Sequence, residues 1–446
     1  MMVAEEKYEF KSGTRNKLVY LLLTGIVLLG LGIALAMTGG GHGEEHATAG
    51  PDTGSLLASA ETQEAAEGSH VGGHSETAVW LKRVYSTLWM NSVFFAGIGV
   101  IGLFFVAIQY AAQAGWSAGL LRIPLAMGNW IPVAAVIMLA SWFVVKGDVF
   151  HWTHASLYSE GGDAILTAKS PYFFWPLEAG GFPAFFILRM VLFFGLWYMF
   201  FMWIRREMAA EDLEGGTQHW YNARKYSAIF LVIFAVSSSV SAWDWVMSID
   251  PHWFSTMMGW YVFASWWVTG LAVITLIVVN LKDSGYLKVV NANHLHDLGK
   301  FVFAFSIFWT YIWFSQFMLI YYANIPEETV YFINRIKNGP YSWVFYANII
   351  LCFVLPFLLL MTRDSKRHIS MLKVICPVVV IGHWFDFYNM ITPGVMKTDG
   401  QVGFIEIGMT LIFAAAFLFV TLSSLARLPL VGRNHPMLAE SLHHHI

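Results

Sequence analysis

The sequence reads WDWVMSIDP over residues 243–251 and FDFYNMITP over residues 385–393. Each stretch ends a run of apolar residues long enough to cross a membrane. Each also follows one pattern: aromatic, Asp, aromatic, three residues, Ile, one residue, Pro. An acid near the end of an apolar span, repeated with its flanks, predicts membrane helices in a chain built from two similar halves.

Composition agrees that the solvent is lipid. Of 446 residues 57% are hydrophobic and 12% charged, about half the charged share of a soluble protein. The net charge of −3 offers no basic face, which excludes nucleic acid as an expected partner. Apolar runs of roughly 20 residues, the length a bilayer core demands, recur at 17–37, 86–111, 126–147, 183–204, 226–247, 257–280, 301–323, 343–361, 373–392 and 403–426. The expected fold is therefore an all-α membrane protein of about ten transmembrane helices. The first run could instead be a signal peptide, since basic residues precede it and ALAM at 34–37 offers a small-x-small site. Its length favours a helix that stays.

An even number of spans puts both termini on one side. With the termini inside, and with Lys17, Lys146 and Lys373 at span ends counted with the adjoining loops, 18 of the 26 Lys and Arg fall in cytoplasmic segments, 7 outside and Arg189 within a span. That asymmetry predicts cytoplasmic termini and places Asp244 near the outer end of span five.

Further matches extend the repeat. GNWIP and SWFVV of span three align with GKFVF and IWFSQ of span seven, and AFFILRMVLFF (184–194) aligns with WVFYANIILCF (343–353), which sets Arg189 against Asn348. Spans two to five and six to nine thus read as tandem four-helix bundles. Because four is even, the copies keep one orientation, a parallel repeat. The expected organisation is residues 1–37, N-terminus and first span; 38–83, a flexible outer loop; 84–255, the first bundle; 256–395, the second; and 396–446, the last span and tail.

Loops carry less chemistry. Residues 38–83 are rich in Gly, Ala, Glu and His with few large apolar residues, a composition that cannot form a core alone. The pairs His42/His46 and His70/His74 have metal-compatible spacing, yet nothing predicts a rigid helix to present them. Residues 148–182 form a second outer loop, aromatic enough to lie over helix ends. Cys352 and Cys376 sit in or beside apolar runs and read as small core residues. No Walker motif, dinucleotide fingerprint or haem-attachment motif occurs.

Ionisable groups inside spans are costly and call for a reason. The main ones are Lys146, Arg189, Asp244, His383, Asp386 and Glu406, with Asp148, His151 and His154 just past span three. Asp244 and Asp386 are repeat equivalents. His383 lies three residues before Asp386, so one helix face carries imidazole and carboxylate, a pair able to hold or pass a proton. Ser237, Ser241 and Asp244 make an i, i+4, i+7 stripe expected to face the first bundle's interior, and Ser306, Thr310, Tyr311 and Gln316 add polar groups on span seven. The structural alternatives are equally concrete. Small serines let helices pack closely, Asp244 could form a buried ion pair with Arg189 or Lys146, His383 could be a satisfied core histidine, and Glu406 could rest at the interface.

The segments SAWDWVMSIDPHWFSTMMGWYVF, HLHDLGKFVFAFSIFWTYIWFSQFMLIYYANIPEE and GHWFDFYNM, within residues 80–430, resemble membrane subunits of the NrfD/polysulfide-reductase type. They are most similar to the second large membrane subunit of bacterial alternative complex III, a quinol:electron-acceptor oxidoreductase. The resemblance implies a bacterial inner-membrane assembly with a larger sister membrane subunit and with iron–sulfur and multihaem subunits carrying the electrons. This chain would have no redox cofactor of its own but could bind quinone or menaquinone. It implies a quinol head group near Asp148, His151, Arg189 and Asp244, and a proton relay through Asp244, His383, Asp386, Ser237, Ser241 and Arg189. A secondary transporter and a purely structural membrane anchor are the competing readings.

Overall fold

The computed structural model describes residues 6–39, 77–337 and 339–445. The four histidines His42, His46, His70 and His74 lie outside the described residues. Ten helices are long and apolar enough to span a membrane: α1 (Ser12–Thr38), α2 (Val79–Ala111), α3 (Arg122–Val149), α4 (Ala184–Glu214), α5 (Gln218–Ile249), α6 (Met258–Asp283), α7 (Ala292–Ala323), α8 (Gly339–Leu359), α9 (Ile369–Met396) and α10 (Phe404–Leu425). Among the described residues there is no strand, only an isolated bridge between Lys7 and Pro429. That bridge holds the two terminal segments together at one end of the bundle, the terminal face; the other end is the distal face.

Helices α2 and α6 are buried along most of their length and form the axis of the protein. They meet at reciprocal notches. A Cβ on Gly97 of α2 would lie 1.9 Å from the Trp266 ring of α6, and one on Gly270 of α6 would lie 2.1 Å from the Ile101 side chain of α2. Each glycine receives the other helix's large side chain, the close approach that small residues permit where lipid supplies no hydrophobic drive between helices. Helices α3, α4 and α5 gather beside α2, and α7, α8 and α9 beside α6, while α2 also touches α9. The flanking helices pair with each other: Gly25 of α1 and Gly408 of α10 face across a contact so close that a Cβ on Gly25 would lie 2.8 Å from the Gly408 carbonyl oxygen.

Both faces are tied down by polar contacts. On the distal face, Asp163 caps the helix Ala164–Phe174 through the N–H groups of Ile165 (2.8 Å) and Leu166 (3.0 Å) and also meets His252, and Lys169 donates to the Pro251 carbonyl (2.6 Å). The loop of residues 148–182 therefore lies over the end of α5. Glu406, expected at the interface, is instead buried: it takes a two-pronged contact from Arg83 (2.7–3.1 Å) and accepts from the Gly403 N–H. Burial of both charges together, with the helix N-terminus as a further donor, offsets the desolvation each would suffer alone.

On the terminal face the C-terminal tail docks. His444 reaches Asp297 of α7 (2.6 Å), and its backbone carbonyl accepts from Asn291 and Asn293. His435 is buried beside the Tyr110 ring and accepts from the Met437 N–H. Burial, and after it the charge of Arg122, push the His435 pKa from 6.5 down to about 4. The folded tail thus holds a neutral ring at pH values where a free chain protonates it, so the docking energy is complete above pH 6.5 and falls as pH drops towards 4. The loss expected is up to about 3 kcal/mol. Amide exchange of residues 429–442 should accelerate over that window in the wild type, and His435→Phe should remove the acid-side acceleration.

Candidate functional site

The two repeated acids sit at matching places with different partners. Asp244, 1% exposed, is gripped from both sides by Arg189 of α4, whose Nε donates to Oδ2 (2.7 Å) and Nη2 to Oδ1 (2.8 Å). The remaining nitrogen, Nη1, donates to the Tyr172 carbonyl (2.8 Å), and the Tyr172 and Phe185 rings lie over the guanidinium at 4.1 and 4.5 Å. Lys146, the other candidate partner, lies over Trp142 instead. A bidentate pair with a guanidinium fixes the Asp244 carboxylate in place.

Asp386 is fully buried, and its donors are neutral. Oδ1 accepts from the Tyr261 hydroxyl of α6 and from Asn348 Nδ2 of α8 (2.8 Å), and Oδ2 accepts from Trp309 Nε1 of α7 (2.8 Å). Three helices thus converge on one carboxylate of a fourth. The repeat alignment set Arg189 against Asn348, and these two residues are the ones that hold the two acids. Asn348 is positioned by a local widening of α8: residues Ile350–Val354 form a π-turn just before Pro356, and Cys352 Sγ donates to Asn348 Oδ1 (3.0 Å).

The basic group closest to Asp386 among the described residues is His383, with Nδ1 3.8 Å from Oδ2. The same nitrogen is 3.0 Å from Ser265 Oγ, the ring stands edge-on to Trp309, and Nε2 is buried without a hydrogen-bond partner among the described residues. Thr269 donates to the Ser265 carbonyl (2.7 Å). Tyr261, Ser265 and Thr269 repeat at i, i+4 and i+8 and extend the polar column along α6. In the first unit, the position equivalent to His383 is Ser241, 142 residues earlier. Under the alignment two polar positions beside the acids differ: Arg189 faces Asn348, and Ser241 faces His383.

A small cavity adjoins the Asp386 site, lined by Tyr261, Gln316, Asn348, Asn389 and Arg335 among others, with about 10 Å³ open to the centre of a water molecule. That is room for one water. Both amide atoms of Gln316 and of Asn389 are buried with no partner among the described residues, so the lining supplies the two to four polar contacts a buried water requires. Arg335 closes the distal side. Pro393 has no N–H, which frees the Asn389 carbonyl four residues back, and Arg335 Nε donates to that carbonyl (2.7 Å) while Nη2 reaches Asp250 (3.5 Å). The sequence places Pro251 and Pro393 alike at helix ends, but α9 runs one turn past Pro393 because this arginine satisfies what the proline leaves open.

The other expected residues fall as follows. Ser237, Ser241 and Asp244 are all buried on one face of α5, as the spacing predicts. The Ser237 hydroxyl accepts from Trp197 Nε1 (2.9 Å), and that of Ser241 donates to the Ser237 carbonyl (2.7 Å). His151 is exposed and Asp148 half-buried at the distal end of α3, and no hydrogen bond or ion pair joins either to Arg189 or Asp244 among the described residues. On α7, Ser306 and Gln316 are buried but Tyr311 is 67% exposed and points away from the column. Tyr261, Ser265 and Trp309 were not singled out from sequence, and Asn348 was named only as the counterpart of Arg189. The i, i+4 polar spacing that flagged α5 was equally present on α6 and would have found the first two.

No protein-family model matches the chain, and no curated protein matches it as a relative. Among the described residues no group of three or more His, Cys, Asp or Glu side chains is arranged to hold a metal ion.

Proposed function

We propose that this chain is the membrane subunit of a bacterial quinol:acceptor oxidoreductase and that it passes protons through its second unit. The carrying observation is the Asp386 site: a fully buried carboxylate held by three neutral donors, with a histidine 3.8 Å away and no Arg or Lys paired to it among the described residues. Such a carboxylate can change charge by taking up one proton, whereas Asp244 is neutralised in place by Arg189. His383 and Ser265 lead from it towards the terminal face, and Gln316, Asn389 and the one-water cavity lead towards the distal face. Sequence resemblance supplies the redox setting, with iron–sulfur and multihaem partners carrying the electrons. The excess of Lys and Arg in terminal-face loops supports cytoplasmic termini in the inner membrane.

In this reading the first unit is the rigid half. Its quinol-facing groups are His151 and Asp148, which remain free to meet a ligand, while Asp244 and Arg189 brace the bundle beneath them. The test uses the intact complex, purified with its partner chains and reconstituted into vesicles with an entrapped pH dye. His383→Asn should leave assembly intact and lower protons moved per electron at least several-fold. An unchanged ratio in that variant would remove the relay from the second unit.

A further inference from the structure

A long apolar groove of about 860 Å³ runs along the membrane-facing side of the protein between the α1–α10 pair and helices α6 and α9. It extends on α10 from Ile407 to Leu422, about 22 Å at 1.5 Å per residue. Most of its lining is apolar side chain, which suits hydrocarbon chains. The groove follows α10 from one turn inside its distal end to one turn inside its terminal-face end.

Polarity along the groove is one-sided. Val380, Ile381, Leu411, Ala414 and Phe417 line the body, and the terminal-face rim carries Glu9, Lys11, Asn280, Ser284 and Tyr286. The rim amide and hydroxyl of Asn280 and Ser284 are spent on their own helix. Glu9 and Lys11 are exposed, and among the described residues neither side chain has a hydrogen bond or ion pair. One cation and one anion two residues apart match a headgroup that carries both signs.

We propose that this groove is a binding site for a zwitterionic aminophospholipid of the terminal-face leaflet, with its phosphate on Lys11, its ammonium on Glu9 and its acyl chains along α10. The occupant is a single structural lipid that wedges the α1–α10 pair against the core. The full-length protein, purified in mild detergent, should retain phosphatidylethanolamine close to one per chain by native mass spectrometry. After delipidation, phosphatidylethanolamine should raise the melting temperature more than phosphatidylglycerol or phosphatidylcholine. Glu9→Gln should erase the preference for phosphatidylethanolamine over phosphatidylglycerol, and Lys11→Gln should weaken retention of all three at least several-fold. Ala414→Trp, which fills the groove without touching the rim, should abolish retention while the protein still folds. Equal stabilisation by all three headgroups, no retained lipid, or full retention by Ala414→Trp would overturn the assignment.

Discussion

Arg189→Met should destabilise the membrane bundle by about 3–5 kcal/mol, the cost of leaving a buried acid without its partner. Asp244 is 1% exposed and takes both of its charge-assisted hydrogen bonds from this one side chain. No other Lys or Arg pairs with it among the described residues. Methionine keeps only the aliphatic stem and gives up the guanidinium's contact with Tyr172 and Phe185, so the double variant is needed to separate the charge effect from packing. The double variant Arg189→Met/Asp244→Asn should recover most of the stability, because it removes both charges and leaves only neutral groups to satisfy. Unfolding of the three proteins in the same detergent measures the difference. Equal stability of single and double variants would mean that the ion pair is not what holds α4 to α5.

Recovery in the double variant would separate the two acids by role, and that separation is where the sequence reading stopped. All ten spans are legible in the chain because lipid imposes a length, and helices of that length leave apolar runs. Their ends are less legible. Helix α4 continues to Glu214, α5 starts at Gln218 and α7 starts at Ala292, because a helix leaving the bilayer keeps its backbone hydrogen bonds while its side chains turn polar. Hydropathy marks the lipid boundary, whereas Gly215 and the Asn291 capping box mark the helix boundary.

The acids themselves were legible through the repeated pattern, and Arg189 was legible as a partner for Asp244. Of the donors to Asp386, only Asn348 carried a sequence signal, as the counterpart of Arg189. Tyr261 and Trp309 resemble the aromatic residues that any membrane helix carries, and only the convergence of α6, α7 and α8 gives their polar ends a target. Tyr311 was misplaced for a related reason: polar residues on one helix do not share a face unless their spacing is 3, 4 or 7. Arg335 counted among the outer basic residues, yet its task is set by a proline 58 positions later that strips a carbonyl of its partner. Such pairings depend on tertiary approach and leave no local mark.

Asp386→Asn tests the second role. The asparagine keeps the shape of the carboxylate and should keep its oxygen on Tyr261 and Asn348, but its NH₂ then meets the Trp309 N–H, donor against donor. One buried donor loses its partner, at about 1–3 kcal/mol, and no charge is stranded, so the complex should assemble and melt only slightly earlier than the wild type. The proton-carrying step should fail all the same, since an amide neither accepts nor releases a proton near neutral pH. Quinol-driven proton release should fall at least tenfold, a barrier increase of about 1.4 kcal/mol or more. Asp244→Asn, measured in parallel, should behave in the opposite way: it strands the Arg189 charge, so it loses stability first and keeps proportionate turnover in whatever complex survives. Trp309→Phe in the Asp386→Asn background removes the opposed donor and should restore stability without restoring proton release, which separates folding from function at this carboxylate. Normal proton release from an intact Asp386→Asn complex would leave the buried acid a structural feature of the second unit and return the chain to the role of an anchor.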